Sequence, residues 1–340
     1  MSLLSGVYGR AAQFRRAWYG RHPDRARRLR RPVVSIGNLV VGGSGKTPVV
    51  AALARLLTAS GERPSILSRG YGRRRSADGV VVVSDGREVL ATVDASGDEP
   101  QMLARARLGA PVLVSRRRYL AGQVAEETLG CTMHLLDDGF QHVQLARDLD
   151  LLVVTRADLD ERVLPSGRLR EPLDAAAAAD ALLVGGTDED AAAIGQRLGV
   201  GTTFRVARRY ESPKLVQPFG APLPSSVGRR VVAVAGIARP ERFFAALRAE
   251  GWEVADELVF RDHHWFSAKD LVSIDRAARD ANADVVMTTE KDAVRLDLGA
   301  GARTNWAFLP LQVEIEPAGA FAAWLADRLA AARRRGVVAA

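Results

Sequence analysis

Short apolar runs alternate with helical patterns along the first 200 residues of the chain. The runs are rich in Val, Ile and Leu, and the stretches between them repeat apolar residues at spacings of three and four. This alternation is typical of a layered α/β sheet that binds ligands at the carboxyl ends of its strands. We expect strands at 33–41, 64–68, 79–83, 111–114, 132–136, 149–154 and 181–184.

A second, smaller unit follows at residues 216–303. Its pattern is βαβαβ, with helices expected at 240–250 and 267–281 between the apolar runs VVAVAG, WEVADELVF and ADVVMTT. Two segments of alternating polarity, 202–215 and 304–316, bracket this unit and predict a two-stranded connection to the first domain, 32–201. The amphipathic helix at 317–335 is expected to return to that domain.

The N-terminal segment 1–31 combines an apolar stripe with a strong positive charge. It holds nine arginines and a single acidic residue, Asp24, and thus accounts for the whole net charge of +8. Such a basic amphipathic helix fits an anionic phospholipid surface, although the stripe could also pack on the protein's own core. Nucleic acid is disfavoured because no helix-turn-helix, zinc or RNP-like pattern accompanies the charge. The stripe consists of Leu4, Val7, Tyr8, Ala11, Phe14 and Trp18.

Composition narrows the class of protein further. With 340 residues, 47% hydrophobic and 26% charged, the chain matches globular averages and excludes disordered and disulfide-scaffold classes. The single cysteine, Cys131, allows no internal disulfide, and neither a cleavable signal sequence nor a membrane-spanning run is evident. We therefore expect a protein that faces the cytosol without crossing a bilayer.

The sequence GGSGKT follows the first predicted strand and precedes a helical run. Glycines at this position let backbone N–H groups turn toward phosphate, Lys46 reaches the β/γ oxygens and Thr47 can hold Mg²⁺. The full phosphate-loop pattern would place glycine at Val40, so a plain glycine-rich turn is the alternative. Lysine is rare in this chain, with four lysines against 44 arginines, which favours the phosphate loop. Its nucleotide-binding residues would be Gly42, Gly43, Ser44, Gly45, Lys46 and Thr47.

Acidic residues follow other predicted strands. Asp137 and Asp138 come after the run CTMHLL, the position of a Mg²⁺-binding carboxylate, although Asp-Asp-Gly also makes a good turn. Asp98 and Glu99 precede a helical stretch, where capping and catalysis are equally consistent with the pattern.

Three further groups are less specific. Arg168, Arg170 and Glu171 lie in a loop that suits anion contact or simple solvation. His263 and His264 follow a strand of the smaller unit without the partners that a zinc site needs. The run TTEKDAV ends a strand with Glu290, Lys291 and Asp292, and a solvated turn is the alternative to a functional role.

Taken in order, eight motifs are similar to those of the tetraacyldisaccharide 4'-kinase family of lipid A biosynthesis. The resemblance extends from about residue 5 to residue 315, with three small departures: Ser44, an arginine-heavy SRGYGRRR and a second histidine after Asp262. The motifs are SIGNLVVGGSGKTP, LSRGYGRR, SGDEP, LLDDGFQH, LREP, AGIARP, RDHH and TTEKDAV.

The resemblance implies a fold, a reaction and a set of roles. The fold would be a phosphate-loop α/β/α sandwich and a smaller α/β/α domain joined by a two-stranded β linker. The reaction would transfer phosphate from Mg-ATP to the 4'-hydroxyl of a lipid-linked disaccharide 1-phosphate, producing lipid IVA at the cytoplasmic face of the bacterial inner membrane. No nucleic acid or obligate protein partner is expected.

In this interpretation Asp98 is the base, and His263, preferred over His264, tunes or relays its proton from the second domain. Lys46 holds the transferred phosphate. Mg²⁺ would be bound or oriented by Thr47, Asp137, Asp138 and Glu171, and substrate phosphate would be contacted by Arg170, Arg116, Arg117 and Arg118. The alternatives are a phosphate-loop hydrolase or switch, a soluble small-metabolite kinase, and, least favoured, a non-enzymatic membrane module.

Overall fold

The computed structural model describes residues 3–43, 45–75, 78–299 and 304–338. Its larger domain contains a nine-stranded sheet in the order β14-β8-β7-β6-β1-β5-β2-β4-β3. The seven inner strands are parallel, and β14 and β3 pair antiparallel at the two edges. The strands are β1 (Val33–Gly37), β2 (Pro64–Ser68), β3 (Val81–Ser84), β4 (Val112–Val114), β5 (Met133–Asp137), β6 (Leu149–Thr155), β7 (Ala181–Gly185), β8 (Thr203–Tyr210) and β14 (Leu311–Glu316).

Helices cover both faces of this sheet. The apolar side chains of α2, α4 and α10 pack on one face, and those of α5 and α6 pack on the other. Burial on both faces explains why the inner strands are continuous apolar runs. The helices are α1 (Leu3–Arg21), α2 (Lys46–Ala59), α3 (Val93–Ser96), α4 (Asp98–Arg105), α5 (Arg118–Glu127), α6 (Asp188–Leu198) and α10 (Ala318–Val338).

The smaller domain is a second three-layer unit. Its five strands have the order β11-β10-β12-β13-β9, with α7 against one face and α8 against the other. The predicted βαβαβ core is present, and β13 and β9 extend it at one edge. The elements are β9 (Lys214–Leu215), β10 (Arg230–Ala235), α7 (Pro240–Ala249), β11 (Glu253–Val259), α8 (Ala268–Asp280), β12 (Val285–Thr289), α9 (Glu290–Ala293) and β13 (Asn305–Leu309).

The connection between the domains differs from a free-standing ribbon. β8 and β14 do pair antiparallel, from Tyr210 opposite Leu311 to Arg205 opposite Glu316, but they extend the edge of the larger sheet. The segment predicted as one linker strand, 304–316, is divided at Pro310 between β13 in the smaller sheet and β14 in the larger. Proline has no backbone N–H to donate, which favours a break in pairing at this point.

The N-terminal helix presents its apolar stripe to solvent. Leu4, Val7 and Phe14 are 66%, 62% and 67% exposed, whereas Ser5 and Gly9 on the opposite face are buried. Gly9 lies against Pro172 and Val163 in the loop that follows β6. The alternative in which this stripe packs on the protein's own core is therefore wrong. Within the described residues, none of the helices is long and apolar enough to cross a membrane.

Candidate active site

The loop between β1 and α2 adopts a conformation suited to phosphate. Gly42 and Gly45 have φ angles of +101° and +81°, a region that L-residues other than glycine seldom occupy. Gly45 precedes Lys46, the first residue of α2, so backbone N–H groups at this helix end face the loop. The Lys46 ammonium donates to Asn38 Oδ1 at 3.0 Å and lies 3.4 Å from Asp138 Oδ1. Ser44 lies outside the described residues.

A cavity of about 240 Å³ extends from this loop into the cleft between the domains. Gly42, Gly43, Gly45, Lys46 and Thr47 lie at one end. The rest of its wall comes from both domains and joins a set of apolar side chains to four arginines, Arg55, Arg208, Arg239 and Arg242. The apolar part is what would face a base. It includes Met102, Leu103, Ile237, Phe243, Leu309 and Leu311. An apolar slot beside a phosphate loop suits the flat base of a nucleotide.

A second cavity, of about 760 Å³, opens on the other side of the loop. Its wall brings together α1, the carboxyl ends of β2 and β5, the loop at Arg170 and part of the smaller domain. The predicted residues Asp137, Asp138, Arg170, Glu171 and His263 all line it. The two cavities share a wall, where a group could pass from one ligand to the other, and that wall contains Gly42, Gly43, Lys46, Glu99 and Lys291.

The paired aspartates end β5 in two different environments. Burial, together with the charges of Glu99 and Asp138, raises the pKa of Asp137 to about 7. Burial would also raise the pKa of Asp138, but Lys46 and Arg170 outweigh it and hold that pKa below its ordinary value. Arg170 Nη1 donates to both Asp138 oxygens, at 2.7 and 2.9 Å.

Glu99, which the sequence left open between helix capping and catalysis, is a member of this acidic group. Burial, with further contributions from Asp98 and Asp138, raises its pKa. Its place in the shared wall follows from the start of α4 at Asp98, because the next residue of the helix turns toward the phosphate loop. The motif SGDEP contained the signal, but the pattern could not separate a helix-capping carboxylate from a functional one.

The oxygen donors near the loop fit Mg²⁺. Asp137, Asp138, Glu99 and the Thr47 hydroxyl are hard oxygen ligands, and the raised pKa of Asp137 reflects negative charge that a cation would offset. No three acidic, histidine or cysteine side chains in the described part of the chain form a metal site by themselves. Mg²⁺ in kinases commonly takes one or two carboxylates and completes its shell with nucleotide phosphates and water.

Asp98 and His263 meet across the domain boundary. Asp98 is 3% exposed at the start of α4, and its Oδ2 lies 2.7 Å from His263 Nδ1. The preceding residue must be Gly97, because a Cβ there would lie 2.5 Å from the Tyr71 carbonyl at a φ of +89°. Burial would raise the pKa of Asp98, but the His263 hydrogen bond and the charges of Lys291 and Arg295 outweigh it and lower that pKa.

The structure separates the two neighbouring histidines. His264 Nε2 lies 3.1 Å from Asp270 Oδ2, and its ring stacks on Phe260 within the smaller domain. Only His263 of the pair points into the cleft, where the edge of its ring meets Tyr71. The preference for His263 is thus supported by the geometry.

Some predicted residues have other partners. Arg16 of α1 donates to both Glu171 oxygens, at 2.6 and 2.8 Å, so a Mg²⁺-binding role for Glu171 stays a prediction. Arg118 is buried beside His142 and interacts electrostatically with Asp138. Arg116 and Arg117 are exposed at the start of α5 and line neither cavity, so the structure does not bring them to the site.

Comparison with known proteins gives a consistent result over nearly the whole chain. The model of a family described as tetraacyldisaccharide-1-P 4'-kinase, LpxK, matches residues 1–330. A tetraacyldisaccharide 4'-kinase of Geobacter metallireducens is 42% identical over 305 residues, which cover 87% of this chain and 88% of the relative. Another, from Syntrophus aciditrophicus, is 36% identical over 341 residues and covers 94% and 90% of the two chains.

A solved structure extends the likeness to three dimensions. It is described as the "apo" form of LpxK from Aquifex aeolicus in complex with ATP, and it superposes with a TM-score of 0.77 at 30% identity. The match covers 96% of this chain and 97% of that one. With its phosphate loop, its strand-end carboxylates and its interdomain Asp-His pair, the chain belongs to the tetraacyldisaccharide-1-phosphate 4'-kinase family.

Proposed function

We propose that this protein transfers the γ-phosphoryl group of ATP to the 4'-hydroxyl of a tetraacyldisaccharide 1-phosphate, forming lipid IVA. The observation that carries the site assignment is the contact between Asp98 and His263, 2.7 Å across the domain boundary. This contact supports an Asp-His pair for proton transfer beside the wall shared by a nucleotide-sized cavity and a larger one. Closing the domains over nucleotide would thus complete the site and exclude water.

The nucleotide occupies the smaller cavity in this proposal. Its phosphates lie on the loop at Gly42 to Thr47, where Lys46 neutralises the β/γ oxygens. Mg²⁺ would be held by Asp137, Asp138 and Thr47, with Glu99 nearby, and would supply charge neutralisation for the transferred group. The apolar side chains of both domains then enclose the base, so binding favours the closed arrangement.

The geometry favours a particular division of labour within the Asp-His pair. Asp98 lines neither cavity, so a bound sugar hydroxyl would not contact it directly, and its lowered pKa makes it a weak proton acceptor. His263 lines the acceptor cavity, and when its Nδ1–H donates to Asp98, its Nε2 carries the free electron pair. We therefore assign proton abstraction from the sugar hydroxyl to His263, with Asp98 orienting the ring, which exchanges the roles expected from the sequence.

The acceptor occupies the larger cavity, which is open to α1. Arg170 lies in its wall and is the strongest candidate for contacting substrate phosphate, and the buried Arg118 contributes to the positive field. The exposed stripe of Leu4, Val7 and Phe14 would enter the lipid interface beside this opening. The protein would then act as a peripheral enzyme on the anionic cytoplasmic face of the inner membrane.

A radiolabelled ATP assay with the disaccharide 1-phosphate glycolipid in detergent micelles tests the activity. His263→Ala is expected to lower kcat by about 10²- to 10⁴-fold with little change in ATP affinity, as for the loss of a general base. His264→Ala is the matched control, because that ring pairs with Asp270 outside the cleft. Full activity of His263→Ala would refute the assignment.

A further inference from the structure

Lys291 is the second residue of the short helix α9, in the run TTEKDAV, for which a solvated turn was the alternative to a functional role. The structure excludes that alternative, because the side chain is only 19% exposed. Its Nζ lies 3.0 Å from Asp262 Oδ1, 3.2 Å from His263 Nε2 and 4.0 Å from Asp98 Oδ2. The ammonium group therefore lies directly beside the atom assigned to accept the substrate proton.

The lysine also lies where the two ligands would meet. It lines both cavities, as Lys46 does, but it comes from the opposite domain. The positive charge of Lys291 also acts on two carboxylates of the larger domain. It lowers the pKa values of Asp98 and Glu99, which burial raises. Lys46 and Lys291 thus place one positive charge from each domain at the shared wall.

The anchoring of α9 makes this position definite. Asp292 is fully buried and accepts from the Gly236 N–H at 2.9 Å and from the Thr289 hydroxyl at 2.7 Å. Arg295, one turn further on, pairs with Asp292 and lies 3.4 Å from Asp98. The backbone is thereby fixed to β10 and β12, and the long Lys291 side chain is the part free to change partner.

The residue type supports a mobile role. Of the 48 basic residues in this chain, 44 are arginine, yet the two cations at the shared wall are both lysine. An ammonium group is a compact point charge on a flexible stem, whereas guanidinium needs a fixed planar geometry. A lysine can therefore move between a nitrogen acceptor and a phosphate oxygen at little cost.

We propose that Lys291 is a catalytic residue that moves from His263 Nε2 to a non-bridging oxygen of the γ-phosphoryl group when nucleotide binds. This inference rests on the site assignment made above. The move neutralises charge on the transferred group and uncovers the electron pair of Nε2. The sugar oxygen then bonds to phosphorus as the bond to the bridging β,γ-oxygen breaks, the hydroxyl proton passes to His263, and ADP leaves while Lys291 keeps its proton.

The first test is the Lys291→Gln variant in the glycolipid phosphorylation assay. We expect kcat to fall by about 10²- to 10³-fold, the effect of removing a transition-state cation, with the KM for ATP changed by less than about threefold. Lys269→Gln, an exposed lysine of α8, is the matched control and should retain wild-type rates. A kcat within threefold of wild type for Lys291→Gln would overturn the proposal.

The second test asks whether the positive charge itself is needed. Lys291→Cys is alkylated either with 2-bromoethylamine, which restores an ammonium group, or with iodoacetamide, which adds a neutral group of similar length. The native Cys131 is buried, and burial raises the pKa of its thiol to about 11, so it reacts slowly. The wild-type protein treated in parallel controls for reaction elsewhere.

We expect aminoethylation to restore at least tenfold of the lost kcat and the neutral reagent to restore none. Equal recovery with both reagents, or recovery with neither in a folded protein, would overturn a role for the charge. The activity of His263→Ala tests the assignment of His263 independently of these experiments. If that variant is active and the charge rescue still works, Lys291 acts on the phosphoryl group without the proposed exchange at Nε2, and the exchange step is refuted.

Discussion

At the scale of single residues, the site concentrates buried carboxyl groups whose ionised forms are costly in the free protein. The pKa values of Asp137, Glu99 and Glu290 are all raised, chiefly by burial, and these three carboxyls lie around the cavities. A cation or polar ligand that binds beside these groups would stabilise their ionised forms. The buried carboxyls thus lower the free energy of unfolding of the free protein and raise its affinity for such a ligand.

Lys46 provides the most direct test of the phosphate loop. Lys46→Ala is expected to abolish phosphoryl transfer, because it removes the mobile cation of the larger domain, whose ammonium group lies 3.4 Å from Asp138. The measurement is the initial rate with saturating ATP and glycolipid, with folding checked by circular dichroism. Activity within about tenfold of wild type would contradict the assignment.

Glu290 offers a test based on pH. Burial raises its pKa to about 7, although Lys214 and Arg55 oppose the rise, so the folded protein holds this proton more tightly than the unfolded chain does. The contribution of Glu290 to the free energy of unfolding is therefore lost as pH rises from about 4.5 to 7. At pH 8, Glu290→Gln should thus be more stable than the wild-type protein. We expect a gain of roughly 1–3 kcal/mol in the free energy of unfolding by urea. The same variant at pH 4.5 is the control, and an equal gain at both pH values would refute the titration.

At the scale of elements, α1 is reversed relative to an ordinary surface helix. Its small and polar face contacts the protein, where Arg16 reaches Glu171 and the Phe140 carbonyl, and its apolar face is exposed. An exposed apolar stripe of this kind marks an interaction surface, and the surrounding arginines favour anionic lipid.

Replacing Leu4, Val7 and Phe14 together by serine should release the protein from anionic vesicles without lowering its melting temperature, because these side chains are already exposed. Co-sedimentation at low and high salt measures the effect. Val272→Ser, at an apolar position of α8 that is 68% exposed, is the matched control. Unchanged vesicle binding by the triple variant would show that membrane contact lies elsewhere.

At the scale of the whole molecule, the catalytic groups are divided between two domains. Asp98, Lys46 and the β5 carboxylates belong to the larger domain, and His263 and Lys291 belong to the smaller one. Because β8 and β14 are paired in the larger sheet, only the short segments that follow β8 and precede β14 can bend when the domains move. Activity should therefore depend on closure.

Fluorescent labels at Glu189→Cys and Val272→Cys, both exposed and in different domains, would report this motion. A non-hydrolysable ATP analogue with Mg²⁺ should narrow the distribution of distances, because both domains line the nucleotide cavity. In His263→Ala the distribution of distances should narrow less, since this variant loses the 2.7 Å contact with Asp98. Identical distributions with and without nucleotide would argue against closure.

The sequence by itself was sufficient for the order of elements and for the chemical motifs. Strands at 64–68 and 181–184 were predicted within a residue of their observed ends, since runs buried on both faces carry a strong local signal. The glycine loop, Asp137 and Asp138 were likewise recognisable, because phosphate and metal chemistry requires those residue types after a strand. The apolar stripe of α1 was also evident from helical spacing alone.

Tertiary structure decided what depends on distant neighbours. The contact of Asp98 with His263 joins residues 165 positions apart, and the burial of Lys291 follows from the domain interface. Local patterns cannot distinguish Glu171, neutralised by Arg16, from Asp137, or the cleft-facing His263 from His264. Burial and charge pairing arise when separate parts of the chain meet, and they determine which of several equivalent side chains can act.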